Sequence, residues 1–233
     1  MSERQAVDLE ANLAGIREGI ASACARAGRS PGDVTLIAAS KFVASTVVQR
    51  ARTSGVRDFG ENYVKELREK RAAVPDARWH YVGVLQSNTA HLVADDADVV
   101  HSLEPGRAVE RLARRAEAAG RRIPSLIQVD FTGERAGTDP ADLEGFAEHA
   151  AGLAGLEVAG LMMLPPMPKR PDDARPWFAH LRELRDRLRE TYPGIVELSM
   201  GMSLDYEVAV EEGATMVRVG AALFGDRPKA PAR

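Results

Sequence analysis

Lys41 stands directly after the apolar run LIAAS, whose length and composition fit a buried strand. A lysine is seldom buried without a partner. At the end of such a strand, loss of hydration would lower its pKa and free the amine to attack a carbonyl carbon. The position also suits a lysine that snorkels to solvent or binds a phosphate, and periodicity alone leaves these open. Arg218 lies inside a second apolar run, MVRVG. Buried there, it needs an acceptor: a carboxylate, a phosphate or a ring nitrogen. A salt bridge to a rim acid such as Glu61 is the structural alternative. Near it in sequence, SMGMS offers the hydroxyls of Ser199 and Ser203 around Gly201, and VGAALFG offers the amides of Gly220 and Ala221 at the start of a helical turn. Such hydroxyls and amides suit a phosphate. Ser203 reads equally as the N-cap of a helix beginning near Asp205, and Gly201 and Gly220 as residues of tight turns.

The elements that must position these residues alternate regularly. An opening helix is predicted over 3–27, with Leu9, Leu13, Ile16 and Ile20 at three- and four-residue spacing. Strand patterns follow at 34–40, VRDFG, 79–83, DVVHS, 125–130, 157–164, IVELSMG and MVRVG, each succeeded by a helix or helical turn. Eight such units predict a parallel sheet closed into a (β/α)8 barrel with an extra N-terminal helix. An open dinucleotide-binding sheet lacks support, because no GxGxxG follows any strand. A barrel carries its site at the C-terminal strand ends. The candidates there are Lys41, Glu61, Asn62, Leu85, Gln86, His101, Ser102, Asp130, Met163, Ser199, Met200, Arg218 and Gly220. His80 and His101 lie inside strand patterns and read as core histidines, and the methionines at 162, 163, 200, 202 and 216 read as core filler.

Composition narrows the classes. The chain has 233 residues, 45% of them hydrophobic, and a formal net charge of −3. That length suits one barrel of roughly 250 residues, and that charge calls for no nucleic-acid partner. Cys24 is the single cysteine, and no HxH or HExxH spacing occurs, so neither a disulfide nor a metal is expected. The polar start lacks signal-peptide character and no apolar run nears the roughly 20 residues of a membrane span. A cytoplasmic chain with no membrane partner is expected, with a single domain over 1–227 and a disordered tail at 228–233.

The series ASK, FGENYVKE, WHYVGVLQSN, HSLE, IQVD, GLMMLPP and LSMGMSLDYEVAVEEGATMVRVGAALFG resembles the pyridoxal phosphate homeostasis proteins, single-domain relatives of the N-terminal barrel of alanine racemase. The resemblance runs over about 13–227. It implies that Lys41 holds pyridoxal 5′-phosphate as an internal aldimine and that Arg218 faces the pyridine nitrogen. It further implies that Ser199, with the amides of Gly220 and Ala221, forms the phosphate cup, that Met200 is among the cofactor-binding residues, and that Asn62 lies close to the lysine. Two loops depart from the family pattern. Phe42, Val43 and Ala44 replace a Thr-Lys-Pro-like segment, so no second lysine stands beside Lys41, and FTGERAG replaces a more polar loop.

The function implied is intracellular storage and carriage of the cofactor, with PLP-dependent apo-enzymes as recipients and a monomeric state. The alternatives are a PLP-dependent amino-acid racemase and an aldolase-like enzyme acting directly through Lys41. Racemization needs an acid/base on each face of the substrate. The second base is expected to be missing, because alanine racemase draws a tyrosine from a further domain. An arginine at the pyridine nitrogen cannot accept a proton, which leaves the ring a weak electron sink.

Overall fold

The computed structural model describes residues 8–225. The first residues of the predicted opening helix and the tail at 228–233 lie outside them. Eight strands pair in parallel in sequence order: β1 (Thr35–Ala39), β2 (Asp58–Glu61), β3 (Arg78–Tyr81), β4 (Val99–Leu103), β5 (Ile123–Val129), β6 (Leu156–Met163), β7 (Glu197–Ser199) and β8 (Met216–Val219). The barrel closes where β8 returns to β1, with Ile37 opposite Arg218 and Ala38 opposite Val219. The predicted (β/α)8 barrel with an additional first helix is therefore the fold. Among the described residues no helix is long and apolar enough to cross a membrane.

Alternation along each strand separates two cores. Ile37, Val99, Leu126, Met162 and Met216 pack together inside the barrel. Their neighbours, such as Ala38, Phe59, Trp79, Leu161 and Val217, join the larger core between barrel and helices. The helices supply its other wall: α2 (Ser45–Thr53), α3 (Val64–Ala73), α4 (Ala90–Asp96), α5 (Arg107–Ala118), α6 (Leu143–Ala151), α7 (Arg175–Thr191), α8 (Tyr206–Glu211) and α9 (Ala221–Phe224).

The extra helix, α1 (Leu9–Arg26), starts at Asp8, whose carboxylate accepts from the Ala11 amide at 3.0 Å. Its buried face is the predicted stripe of Leu9, Leu13, Ile16 and Ile20. It packs on α8 and α9, and Asn12 donates to the Leu223 carbonyl at 3.1 Å. β7 falls furthest short of its sequence pattern. The run IVELSMG yields a three-residue strand because Ile195 closes a turn on the Tyr192 carbonyl and Gly201 turns the chain at φ +88°.

Candidate functional site

Strand alternation directs Arg218 to the barrel interior, two residues beyond the inner-core Met216. It is 5% exposed. Its guanidinium donates to Ser199 Oγ and, at 2.8 Å, to the Met163 carbonyl. Two of the five N–H donors of a guanidinium are thus committed to the wall. Burial pushes the Arg218 pKa down to about 10, against the pull of Asp205, and leaves the group a cation at neutral pH. The alternative pairing with Glu61 does not occur. Glu61 follows Gly60 on the outer parity of β2 and is held by Lys70 of α3, Nζ to Oε1 at 2.6 Å.

Lys41 continues the parity of Ile37 and Ala39 from β1, the strand that pairs with β8. It is half-buried, and among the described residues no hydrogen bond or ion pair occupies its amine. The loop that carries it is held from behind. Lys70, 4% exposed, donates to the Ser40 carbonyl at 2.7 Å, to Glu61 Oε1 at 2.6 Å and to Glu66 Oε2 at 2.7 Å. Ser40 Oγ donates to the same Glu61 oxygen at 2.6 Å. The Phe42 amide donates to Glu66 Oε2 at 2.8 Å, which braces a residue at φ +62°, a left-handed conformation costly for a side chain of this size. Burial raises the Glu61 pKa despite Lys70.

The ends of β7 and β8 form a second unit. Gly201 carries φ +88°, and a Cβ there would lie 2.5 Å from the Ala209 Cβ. Ser203 Oγ accepts from the amides of Gly220 at 3.2 Å and Ala222 at 3.1 Å. It does not cap α8, whose N-cap is Asp205 with no side-chain cap bond. The Gly220 φ of −123° is outside the left-handed region, so its turn does not demand glycine.

The sequence-derived residues are thus unequally placed. Arg218 lies on β8 and Lys41 in the turn after its neighbour β1, and Gly220 meets the Ser203 loop directly, with Ala221 between the two amides, of Gly220 and Ala222, that bond Ser203. Ser199 is buried beneath that loop, with its oxygen between Arg218 and His101. The Met200 side chain packs in the outer core. Asn62 lines a surface concavity of about 430 Å³ with Tyr63, Tyr81 and Gln86, and its carbonyl lies so close to Gly83 that a Cβ there would be 2.0 Å away. Asp130, also at a strand end, is engaged by its own loop, accepting from the Thr132 hydroxyl at 2.8 Å and the Arg135 amide at 2.9 Å.

Sequence reasoning missed Lys70 and Asp58. The first hides in a helix that reads as solvated. The second is tied to His80, Nε2 to Oδ1 at 3.0 Å. The i,i+4 spacing of Glu66 and Lys70 was the available signal for the first.

The chain matches the model of the family described as alanine racemase, N-terminal domain, over residues 12–228. It is similar to the pyridoxal phosphate homeostasis protein of Aquifex aeolicus, 39% identical over 220 residues that cover 92% of this chain and 96% of the relative. The corresponding protein of Escherichia coli (strain K12) is 37% identical, with 94% and 97% covered. The solved structure of PipY from Synechococcus elongatus with PLP bound superposes with a TM-score of 0.83 at 36% identity, covering 94% of this chain and all of that one. With matches of this extent over both partners' lengths, the chain belongs to the alanine racemase N-terminal domain family, among the pyridoxal phosphate homeostasis proteins.

Proposed function

We propose that the chain binds pyridoxal 5′-phosphate in the barrel mouth and serves as a holder and carrier of the cofactor rather than as an enzyme. The observation that carries this reading is the placement of two basic residues at neighbouring strands: Arg218, inside β8 and held by the wall with donors to spare, and Lys41, in the turn just beyond β1, whose amine has no hydrogen-bond or ion-pair partner among the described residues. The residues suit the group in three respects. Lys41 is a primary amine placed to bond the aldehyde carbon as a Schiff base. Arg218 is a donor for the ring nitrogen. The Ser203 hydroxyl, which accepts from the amides of Gly220 and Ala222 and keeps its own proton to donate, and the Ala221 amide suit the phosphate, a role that the geometry favours for Ser203 over Ser199, whose hydroxyl is engaged inside the barrel; Gly220, its amide bonded to Ser203, shapes the turn. Asn62 and Met200 follow the ends of β2 and β7, the strands next to β1 and β8.

Bound to an enzyme, pyridoxal phosphate supplies an electron sink, which is stronger when its ring nitrogen is protonated. Arg218 acts against that use. A guanidinium only donates hydrogen bonds, so it satisfies the ring nitrogen without giving it a proton. Ser199 and the Met163 carbonyl keep the guanidinium in place, and the Lys70 cluster keeps the lysine loop in place. The names of the relatives support a homeostatic role; that it is exercised in the cytoplasm by a monomer that passes cofactor to apo-enzymes is part of the proposal.

The test is spectroscopic. Purified protein mixed with pyridoxal phosphate should gain a visible band that borohydride abolishes, with the reduced adduct on Lys41. Lys41→Ala should lose both. An adduct on Lys65 or Lys70 would overturn the assignment. The carrier role requires transfer to an apo-enzyme faster than release into buffer, and transfer no faster than release would overturn that part.

A further inference from the structure

A chain of hydrogen-bonded side chains crosses the barrel interior from the far mouth to Arg218. Asp58 opens β2 at the N-terminal end of the barrel, with its side chain 17% exposed. Its Oδ1 lies 3.0 Å from His80 Nε2. His80 Nδ1 lies 2.8 Å from His101 Nε2, and His101 Nδ1 lies 2.9 Å from Ser199 Oγ. Ser199 Oγ accepts from Arg218. His80, His101 and Ser199 are wholly buried.

The chemistry at the two ends fixes the direction of every bond. Arg218 can only donate, so Ser199 Oγ accepts from it. A carboxylate can only accept, so His80 carries its proton on Nε2 toward Asp58. The His80 Nδ1 is then an acceptor, which requires His101 to donate from Nε2. His101 Nδ1 is in turn an acceptor, and the Ser199 hydroxyl gives it a proton. Each member between the ends donates once and accepts once, and both rings are neutral. A proton added at the Asp58 end would reverse both rings and press the Ser199 proton against a guanidinium that cannot take it.

We propose that Asp58, His80 and His101 are positioning residues for Arg218: the carboxylate at the far mouth sets the polarity of the chain, and the chain presents Ser199 oxygen as the acceptor that orients the guanidinium toward the cofactor ring. This deepens the function proposed above and rests on it. The surroundings keep the rings neutral. Burial lowers the His80 pKa, opposed by Asp58 and Asp98 and aided by Arg78. Burial lowers that of His101 further, aided by His80, Arg218 and Arg78.

Nitrogen-15 NMR of histidine-labelled protein, without cofactor, tests the chain directly. Both rings should be neutral Nε2–H tautomers from pH 6 to pH 8 (roughly the range around an ordinary histidine pKa). A cationic ring or an Nδ1–H tautomer at neutral pH overturns the proposal, and no variant has to fold for that result. The second arm uses Asp58→Asn and His101→Gln, which touch no cofactor atom in the proposed arrangement. Each should shift the visible maximum of bound pyridoxal phosphate and weaken its binding roughly fivefold, the factor of about one net hydrogen bond. Folded variants that keep the wild-type maximum and affinity overturn the positioning role. Absence of any visible band in wild type would instead refute the cofactor reading, while the tautomers would still report on the chain.

Discussion

Replacing Lys70 with methionine removes one charge from a cluster that has almost no access to water. The Lys70 side chain is 5% exposed and that of Glu61 is 0% exposed. The longer apolar stem survives in Lys70→Met, so packing changes little. What is lost is an ammonium making bonds of 2.6–2.7 Å to two carboxylates and a carbonyl. Removing one partner of such a buried pair typically costs about 3–5 kcal/mol, because the other charge is left uncompensated. The cost should depend on pH. Burial already holds the Glu61 pKa above its ordinary 4.5, and loss of Lys70 raises it further. A carboxyl with a raised folded-state pKa binds more protons folded than unfolded, so stability falls as pH climbs from the ordinary value through the folded one. Urea denaturation should therefore show a deficit in Lys70→Met that widens from pH 5 to pH 8 (the span over which a raised carboxyl titrates, roughly). Adding Glu61→Gln should return much of it. A deficit below about 1 kcal/mol, the scale of an exposed ion pair, or one that does not change with pH, would refute the reasoning.

Other outcomes follow from the same geometry. Ser203→Ala should weaken pyridoxal phosphate binding by roughly ten- to a hundredfold, the scale of a charge-assisted hydrogen bond, and leave binding of unphosphorylated pyridoxal nearly unchanged; equal losses for both ligands in a fluorescence titration would remove Ser203 from the phosphate site. Gly201→Ala forces a Cβ to within 2.5 Å of the Ala209 Cβ at φ +88°, and should lower stability in a thermal melt by about 1–3 kcal/mol; a neutral effect would mean the turn is plastic. Holo-protein with free amino acids in deuterated water should show no α-proton loss at ordinary enzymatic rates of about 1–1000 per second, and such rates would sink the non-enzyme reading.

The barrel was legible because its strands are short apolar runs at regular intervals, a signal that survives errors at each boundary. The pattern overextends β7 because the apolar residues of IVELSMG run on both sides of Glu197 and Ser199, and apolarity does not reveal that a tyrosine carbonyl and a left-handed glycine end the pairing. Lys41 and Arg218 were conspicuous as charges bordering or interrupting such runs. Ser199 and Ser203 could not be told apart, since the direction of a hydroxyl at a strand end depends on one-residue parity. The polar chain through the barrel was invisible for another reason. Its contacts join residues 21 and 98 positions apart, and a histidine in a strand looks the same whether it has a partner or a function. Lys70 was lost among the charges of α3, where only one end of an i,i+4 pair turns inward.

Closure of the ring has a kinetic side. Ile37 and Arg218 face each other across a sequence gap of about 180 residues, and tying a loop of that length costs about 4–5 kcal/mol in chain entropy before any contact repays it. During synthesis β1 leaves the ribosome long before β8, and α1 emerges with an apolar stripe whose partners, α8 and α9, are not yet made. The lysine and the arginine therefore cannot become neighbours during synthesis until β8 has emerged. A cofactor that bridges them would bind the closed ring and not its precursors, so it should slow opening of the β1–β8 seam more than it speeds assembly.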